Sequence, residues 1–170
     1  MIRPAQAADI PAIHQMIVDL ATYERSGHEV SATADDLRAA LVAGPGGQPS
    51  LFAHVADEGG QAVGFALWFL SYSTWLGRHG IHLEDLYVKP ERRGQGHGRA
   101  LLAELARICA QRGYGRLEWS VLDWNSPARR FYESLDAVTV NEWVVFDPFA
   151  WVPKSKVGPS DSASSAGSAP

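Results

Sequence analysis

A single cysteine, Cys109, stands among 170 residues, so no disulfide can close within the chain and a reducing compartment is expected. No apolar run approaches the ~20 residues that a membrane span needs. The longest, residues 63–70, has the length of a strand. The opening Met1-Ile2-Arg3-Pro4 shows no apolar leader core, so a cytoplasmic location without a membrane partner is expected. Positive charge is scarce too: the formal net charge is −4, and no basic stripe offers itself to nucleic-acid phosphates. The six histidines form neither H-x-H nor H-E-x-x-H. His79 and His82 are close, but no cysteine or paired carboxylate completes a ligand set, so no metal is expected. No internal repeat is present. These absences leave one soluble domain of ordinary hydrophobic content, 46%.

What is present is concentrated in one stretch, Leu83-Glu84-Asp85-Leu86-Tyr87-Val88-Lys89-Pro90-Glu91-Arg92-Arg93-Gly94-Gln95-Gly96-His97-Gly98. Alternation over residues 81–88 predicts a strand, Pro90 ends it, and Gly94, Gly96 and Gly98 free the backbone to turn. From Arg99 the period becomes helical, with Leu101, Leu102, Leu105, Ile108 and Cys109 on one face. That placement makes Cys109 a small core residue and not a nucleophile. A glycine turn feeding a helix N-terminus offers unpaired N–H groups beside the positive end of the helix dipole, a site for phosphate oxygens. The nucleotide signatures fail here. Gly98 is followed by Arg99-Ala100 and not by Lys-Ser/Thr, and a G-x-G-x-x-G reading would need glycine at Arg99 or Leu101.

The remaining elements follow from pattern. Residues 2–4 predict a first strand, and Asp9 is placed to cap a helix to about Tyr23 with Ile10, Ile13, Ile17 and Leu20 buried. Thr33-x-x-Asp36 predicts a capping box, and Gly44-Pro45-Gly46-Gly47 a loop. Residues 51–57 and 61–73 read as strands joined by a hairpin at Glu58-Gly59-Gly60. A strand at 116–121, a helix at 126–135 and a last strand at 143–146 complete the order. The expected fold is α/β, a mixed and mostly antiparallel sheet flanked by helices. It should form a single domain over residues 1–152, with a disordered Ser/Ala/Gly/Pro tail over 153–170.

The pattern Arg93-x-x-Gly96-x-Gly98, after a strand and before a helix, resembles the coenzyme loop of the GNAT superfamily of N-acetyltransferases. Four further patterns resemble its diamine (spermidine/spermine) group and the thialysine-acetylating relatives. They are Ile2-Arg3-Pro4-Ala5, Tyr23-Glu24, Trp75-Leu76-Gly77 with Leu83-Glu84-Asp85, and Trp124-Asn125 with Phe131-Tyr132. The resemblance implies two splayed parallel strands, 81–88 and 116–121, with the coenzyme arm between them. It implies acetyl-CoA as cosubstrate, held by Leu86, Tyr87 and Val88, by Arg93, Gly94, Gln95, Gly96, His97, Gly98 and Arg99, and by Asn125, Ala128 and Tyr132. It makes Tyr132 the general acid for the departing thiolate and Glu84 the base, acting through a water. A small-molecule amine would meet Tyr23, Glu24, Trp75, Glu84, Asp85, Glu118 and Glu142. Where relatives carry glycine after the tyrosine-bearing helix, this chain has Leu135-Asp136-Ala137. Aspartate tolerates a left-handed turn there at modest cost.

The base has a definite task. An alkylammonium of pKa ~10.4 is free amine in about one molecule in 2,500 at neutral pH, a deficit of roughly 4.6 kcal/mol. Alternation along a strand points Glu84 and Asp85 to opposite faces unless a bulge re-aims one of them. Three readings stand at this point: an acetyltransferase for a small diamine, polyamine or lysine-like amine, the same chemistry on another acceptor (a protein amine, an aminoglycoside or another metabolite), or a non-catalytic acyl-CoA binder. Trp143, Val144, Val145 and Phe146 would form an apolar edge, which is expected to be covered in a homodimer, the alternative being that Phe149 and Trp151 fold back over it within one subunit. Light scattering should therefore show a dimer at micromolar concentration. Truncation after Pro153 should leave that assembly intact, since little apolar lies beyond it.

Overall fold

Gly59 and Gly60, both at positive φ (60° and 88°), make the two-residue turn between β2 (Phe52–Glu58) and β3 (Gln61–Ser73). The computed structural model describes residues 1–42 and 45–140. It divides into Met1–Leu135 and Asp136–Pro170. In the first unit, β1 (Ile2–Pro4), β2, β3, β4 (Arg78–Val88) and β5 (Leu117–Trp119) form a sheet in that order. The pairs are antiparallel except β4–β5, which is parallel. The second unit is described only at its start, where Asp136 takes the expected left-handed turn at φ 59°. Glu142, the strand expected at 143–146 and the tail expected at 153–170 lie outside the described residues.

Alternate residues of β3 sort into two cores, which is why residues 62–68 are buried without interruption. Phe65 and Leu67 join Ile10, Ile13 and Met16 of α1 (Ile10–Tyr23), with Leu37 of α2 (Ala34–Val42). Ala66 and Trp68 join Leu101, Leu102 and Leu105 of α3 (His97–Arg112). Each large side chain so buried contributes about 1.5–3 kcal/mol. Cys109 lies in the second core, its Sγ 3.7 Å from the Arg116 carbonyl, and burial raises its pKa, as an unreactive thiol requires.

Two local expectations are corrected. The strand expected at 116–121 is regular only over Leu117–Trp119. Asp9 makes no side-chain cap to α1. Its carboxylate takes the Gln6 N–H at 2.7 Å and both terminal nitrogens of Arg3, at 2.6 and 3.0 Å. A charge-assisted, bidentate partner outbids a backbone amide. The Thr33–Asp36 capping box is present, with the Thr33 N–H donating to Asp36 Oδ2 and the Asp36 N–H to Thr33 Oγ1.

Pro90 ends β4 in a short 3-10 turn (Pro90–Arg92), and Gly94 and Gly96 then take φ 75° and 84° to swing the chain into α3. Gly98 serves a different need. A Cβ there would stand 3.2 Å from Phe131 Cζ, so its absence lets α4 (Ser126–Glu133) lie close against the first turn of α3.

Arg3 is the hub of the framework, because it also binds Asp57 Oδ2 through Nε at 2.9 Å and Nη2 at 2.7 Å. It thereby holds both carboxyls below the usual aspartate range. Stability from such groups is full above the ordinary carboxylate range and is lost as pH falls through the depressed values. Arg3→Met should lower the thermal midpoint by at least ~5 °C at neutral pH, because two largely buried carboxylates lose their partner. It should also flatten the acid-side loss of stability, which a melting series against pH reads directly.

Candidate active site

β5 pairs with β4 only at Ile81–Leu117, His82–Glu118 and Leu83–Trp119. Past these pairs, Ser120, Val121 and Leu122 on one side and residues 84–88 on the other line a single cavity of about 740 Å³. The point of parting coincides with a bulge. Leu67 of β3 stands opposite Asp85 and Trp68 opposite Leu83, which leaves Glu84 without a cross-strand partner. The extra residue shifts the alternation, so Leu83 and Leu86 fall on the same core despite their odd spacing. Glu84 and Asp85 both line the cavity.

The carboxylates there differ in surroundings. Glu84 is half exposed, with His82 Nε2 at 4.0 Å. Asp85 is pushed up to about 6, by burial first and then by the charges of Glu84 and Glu24. Glu24, beside Tyr23 at the end of α1, is raised by burial as well. The Tyr132 phenol is pushed up to about 12 by burial and then by Glu24, so it keeps its proton throughout neutral pH. Its ring lies against Trp119 and Phe131, with centroids at 5.0 and 5.3 Å.

Basic groups and loop glycines share this cavity. Arg93, Gly94, Gly96, His97, Gly98 and Arg99 line it. The Ala100 N–H donates to the Gly96 carbonyl, so the amides before it lie at the positive end of the helix. Arg93 donates from Nε to the Val88 carbonyl at 2.9 Å, and its guanidinium sits 5.5 Å from the Tyr87 ring centroid. His97 Nε2 is 2.7 Å from Glu58 Oε1, and Arg92 is 3.3 Å from the same carboxylate. Glu58 therefore braces the loop from the β2–β3 hairpin.

Asn125 is buried, and its Oδ1 accepts both the Ala128 N–H that caps α4 and the Tyr23 hydroxyl, each at 3.2 Å. Leu86, Tyr87, Val88, Ala128, Tyr23 and Glu24 share the cavity with these groups. Three candidates do not line it. Gln95 is absent from its wall, and Trp75 lies 87% exposed between β3 and β4. Glu118 faces Arg116 Nη2 at 3.0 Å and His82 Nδ1 at 3.9 Å. Trp119 and Ser120 line the cavity although the sequence did not mark them. They sit where the strands part, and strand periodicity does not report where pairing stops. Among the described residues no group of three or more His, Cys, Asp or Glu could hold a metal ion, and no helix is long and apolar enough to cross a membrane.

Comparison with known proteins bears on this arrangement. The profile of the acetyltransferase (GNAT) family matches residues 12–136. Thialysine N-epsilon-acetyltransferase of Bos taurus is 39% identical over 84% of this chain and 86% of its own. L-ornithine N5-acetyltransferase of Arabidopsis thaliana is 28% identical over 84% of this chain and 81% of its own. Among solved structures, an aminoglycoside acetyltransferase from an uncultured soil metagenomic sample superposes with a TM-score of 0.72. It covers 86% of this chain and 93% of its own at 18% identity, a likeness of fold.

The raised Asp85 carboxyl carries its own test. An acid whose folded pKa lies above its unfolded value costs stability wherever it is ionised. Asp85→Asn should therefore raise the thermal midpoint above about pH 6, with the gain shrinking on acidification. It should vanish near the ordinary aspartate value of ~4. Melting curves of both proteins across that window check it.

Proposed function

The chain belongs to the acetyltransferase (GNAT) family, and on that premise we propose that it acetylates a primary amine of a small lysine-like or diamine molecule, by direct attack in a ternary complex. One observation carries the choice of acceptor. The bulge at Glu84 turns two neighbouring carboxylates into a cavity that Glu24 also lines, which suits a molecule with more than one positive charge. The names of the thialysine and ornithine enzymes point the same way, since both describe amino acids with a side-chain amine.

The glycine-loop wall of the cleft fits acetyl-CoA. Glycine-loop amides at a helix N-terminus, flanked by Arg93 and Arg99, suit a pyrophosphate, while Leu86, Tyr87, Val88, Asn125 and Ala128 offer a track for the pantetheine arm. Acetyl-CoA, when bound, supplies the activated acetyl group. The chain's own residues then manage protons and position. Glu84, solvated and at the bulge, takes the ammonium proton through a water. Tyr132, still protonated, holds a proton for the leaving sulfur. Asp85 and Glu24 orient the ammonium groups. A second reading exchanges the two neighbours, making Asp85 the proton acceptor. Its burial favours this, because a carboxyl near 6 is a stronger base than an ordinary one.

A panel of diamines, polyamines and lysine analogues incubated with acetyl-CoA, with products read by mass, tests the acceptor. Acetylation confined to protein N-termini or aminoglycosides would reject it. Tyr132→Phe should lower kcat at least ~10²-fold with little change in acetyl-CoA binding. Glu84→Gln should steepen the rise of rate with pH, because the amine must then arrive already deprotonated. If instead Asp85→Asn abolishes a limb of kcat/KM near 6 while Glu84→Gln does not, Asp85 is the base.

A further inference from the structure

The turn that ends α1 is occupied by a residue ill suited to it. Arg25 has φ 67°, the left-handed region in which an L side chain crowds its own backbone. The turn closes in the usual double-bonded way, with the Ser26 N–H donating to the Ala21 carbonyl at 2.8 Å and the Arg25 N–H to that of Thr22 at 3.1 Å. Glycine is the common occupant of this position, and neither bond calls for an arginine.

What calls for it lies on the segment before α4. The Arg25 guanidinium sits over Trp124, 4.8 Å from the ring centroid. Tyr23 reaches the same segment, its hydroxyl donating to Asn125 and its ring tilted 6.1 Å from Trp124. One helix end thus grips two consecutive residues. Glu24 sits between the gripping residues and lines the cavity, while Asn125 caps the helix that carries Tyr132. Neither Arg25 nor Trp124 lines the cavity, so both act only through their neighbours.

We propose that Arg25 and Trp124 are positioning residues that clasp the Glu24 wall of the cleft to the α4 wall, holding the ammonium site at a set distance from Tyr132. The claim rests on the functional reading above, and it concerns the acceptor side of the cleft alone. The side chain of this left-handed arginine, and not its backbone, is then what the position uses.

The test uses Arg25→Gly, Arg25→Lys and Trp124→Leu in the full chain. Arg25→Gly relieves the backbone as it removes the ring contact, so its thermal midpoint should stay within ~3 °C of the wild type. Its KM for the amine should nevertheless rise about threefold or more, with the acetyl-CoA KM held within about twofold, as loss of an exposed cation–π contact implies. Arg25→Lys keeps a cation over the ring and should recover most of that loss. Trp124→Leu should raise the amine KM likewise and speed hydrogen exchange at the amides of residues 24–28. An amine KM unchanged in both Arg25→Gly and Trp124→Leu would overturn the clasp, as would equal rises in both KM values. If the wild-type chain acetylates no amine, the functional reading fails but exchange still decides. Faster exchange in Trp124→Leu supports the clasp, and wild-type exchange sinks it.

Discussion

Glu84 has no partner on β3, and β5 keeps pace with β4 only as far as Leu83. The two facts meet at one place in the sheet. A bulge bends its strand and strengthens the local twist, so a short parallel neighbour cannot follow it. The gap that opens is the cleft, with residues 84–88 of β4 on one wall and the irregular residues 120–122 that follow β5 on the other. The same extra residue turns Asp85 into the cleft alongside Glu84. A regular strand would have closed the sheet and sent one of the two carboxylates to the other side.

The cleft carries charge of both signs. Glu24, Glu84 and Asp85 line it, and so do Arg93 and Arg99 at the N-terminus of α3, with the Arg93 guanidinium 5.7 Å from the ring centroid of Tyr23, the neighbour of Glu24. Burial first, and then the nearby carboxylates, push Asp85 up to about 6 and Tyr132 up to about 12.

Around this cleft the framework is tied by polar contacts as well as by packing. Arg3 joins β1, the start of α1 and the end of β2 through two carboxylates, and Asp57 in turn accepts the Gly60 N–H of the hairpin at 3.0 Å. Glu58, the next residue, braces His97 and Arg92 of the glycine loop. The β2–β3 hairpin thus links the Arg3 hub to the loop that opens α3. The two cores on either face of β3 hold the helices that these contacts orient.

Much of this was legible in the chain itself. Turn chemistry marked the Gly59-Gly60 hairpin and the Gly94–Gly98 swing, and periodicity marked α1 and α3, because local sterics and a repeating apolar face leave a signature in consecutive residues. The glycine loop and the carboxylate pair stand out in a resemblance to a known family. Contacts between distant residues were not legible. The position of Asp9 predicts a helix cap, but Arg3, six residues away, takes its carboxylate. Asn125 read as a ligand contact, and its carbonyl proved to hold Tyr23 as well as its own helix. The place where β4 and β5 part depends on a register set by β3, and the burial that raises Asp85 depends on which walls close around it. Sequence spacing determines what one element offers. Only the packing of several elements decides which offers meet.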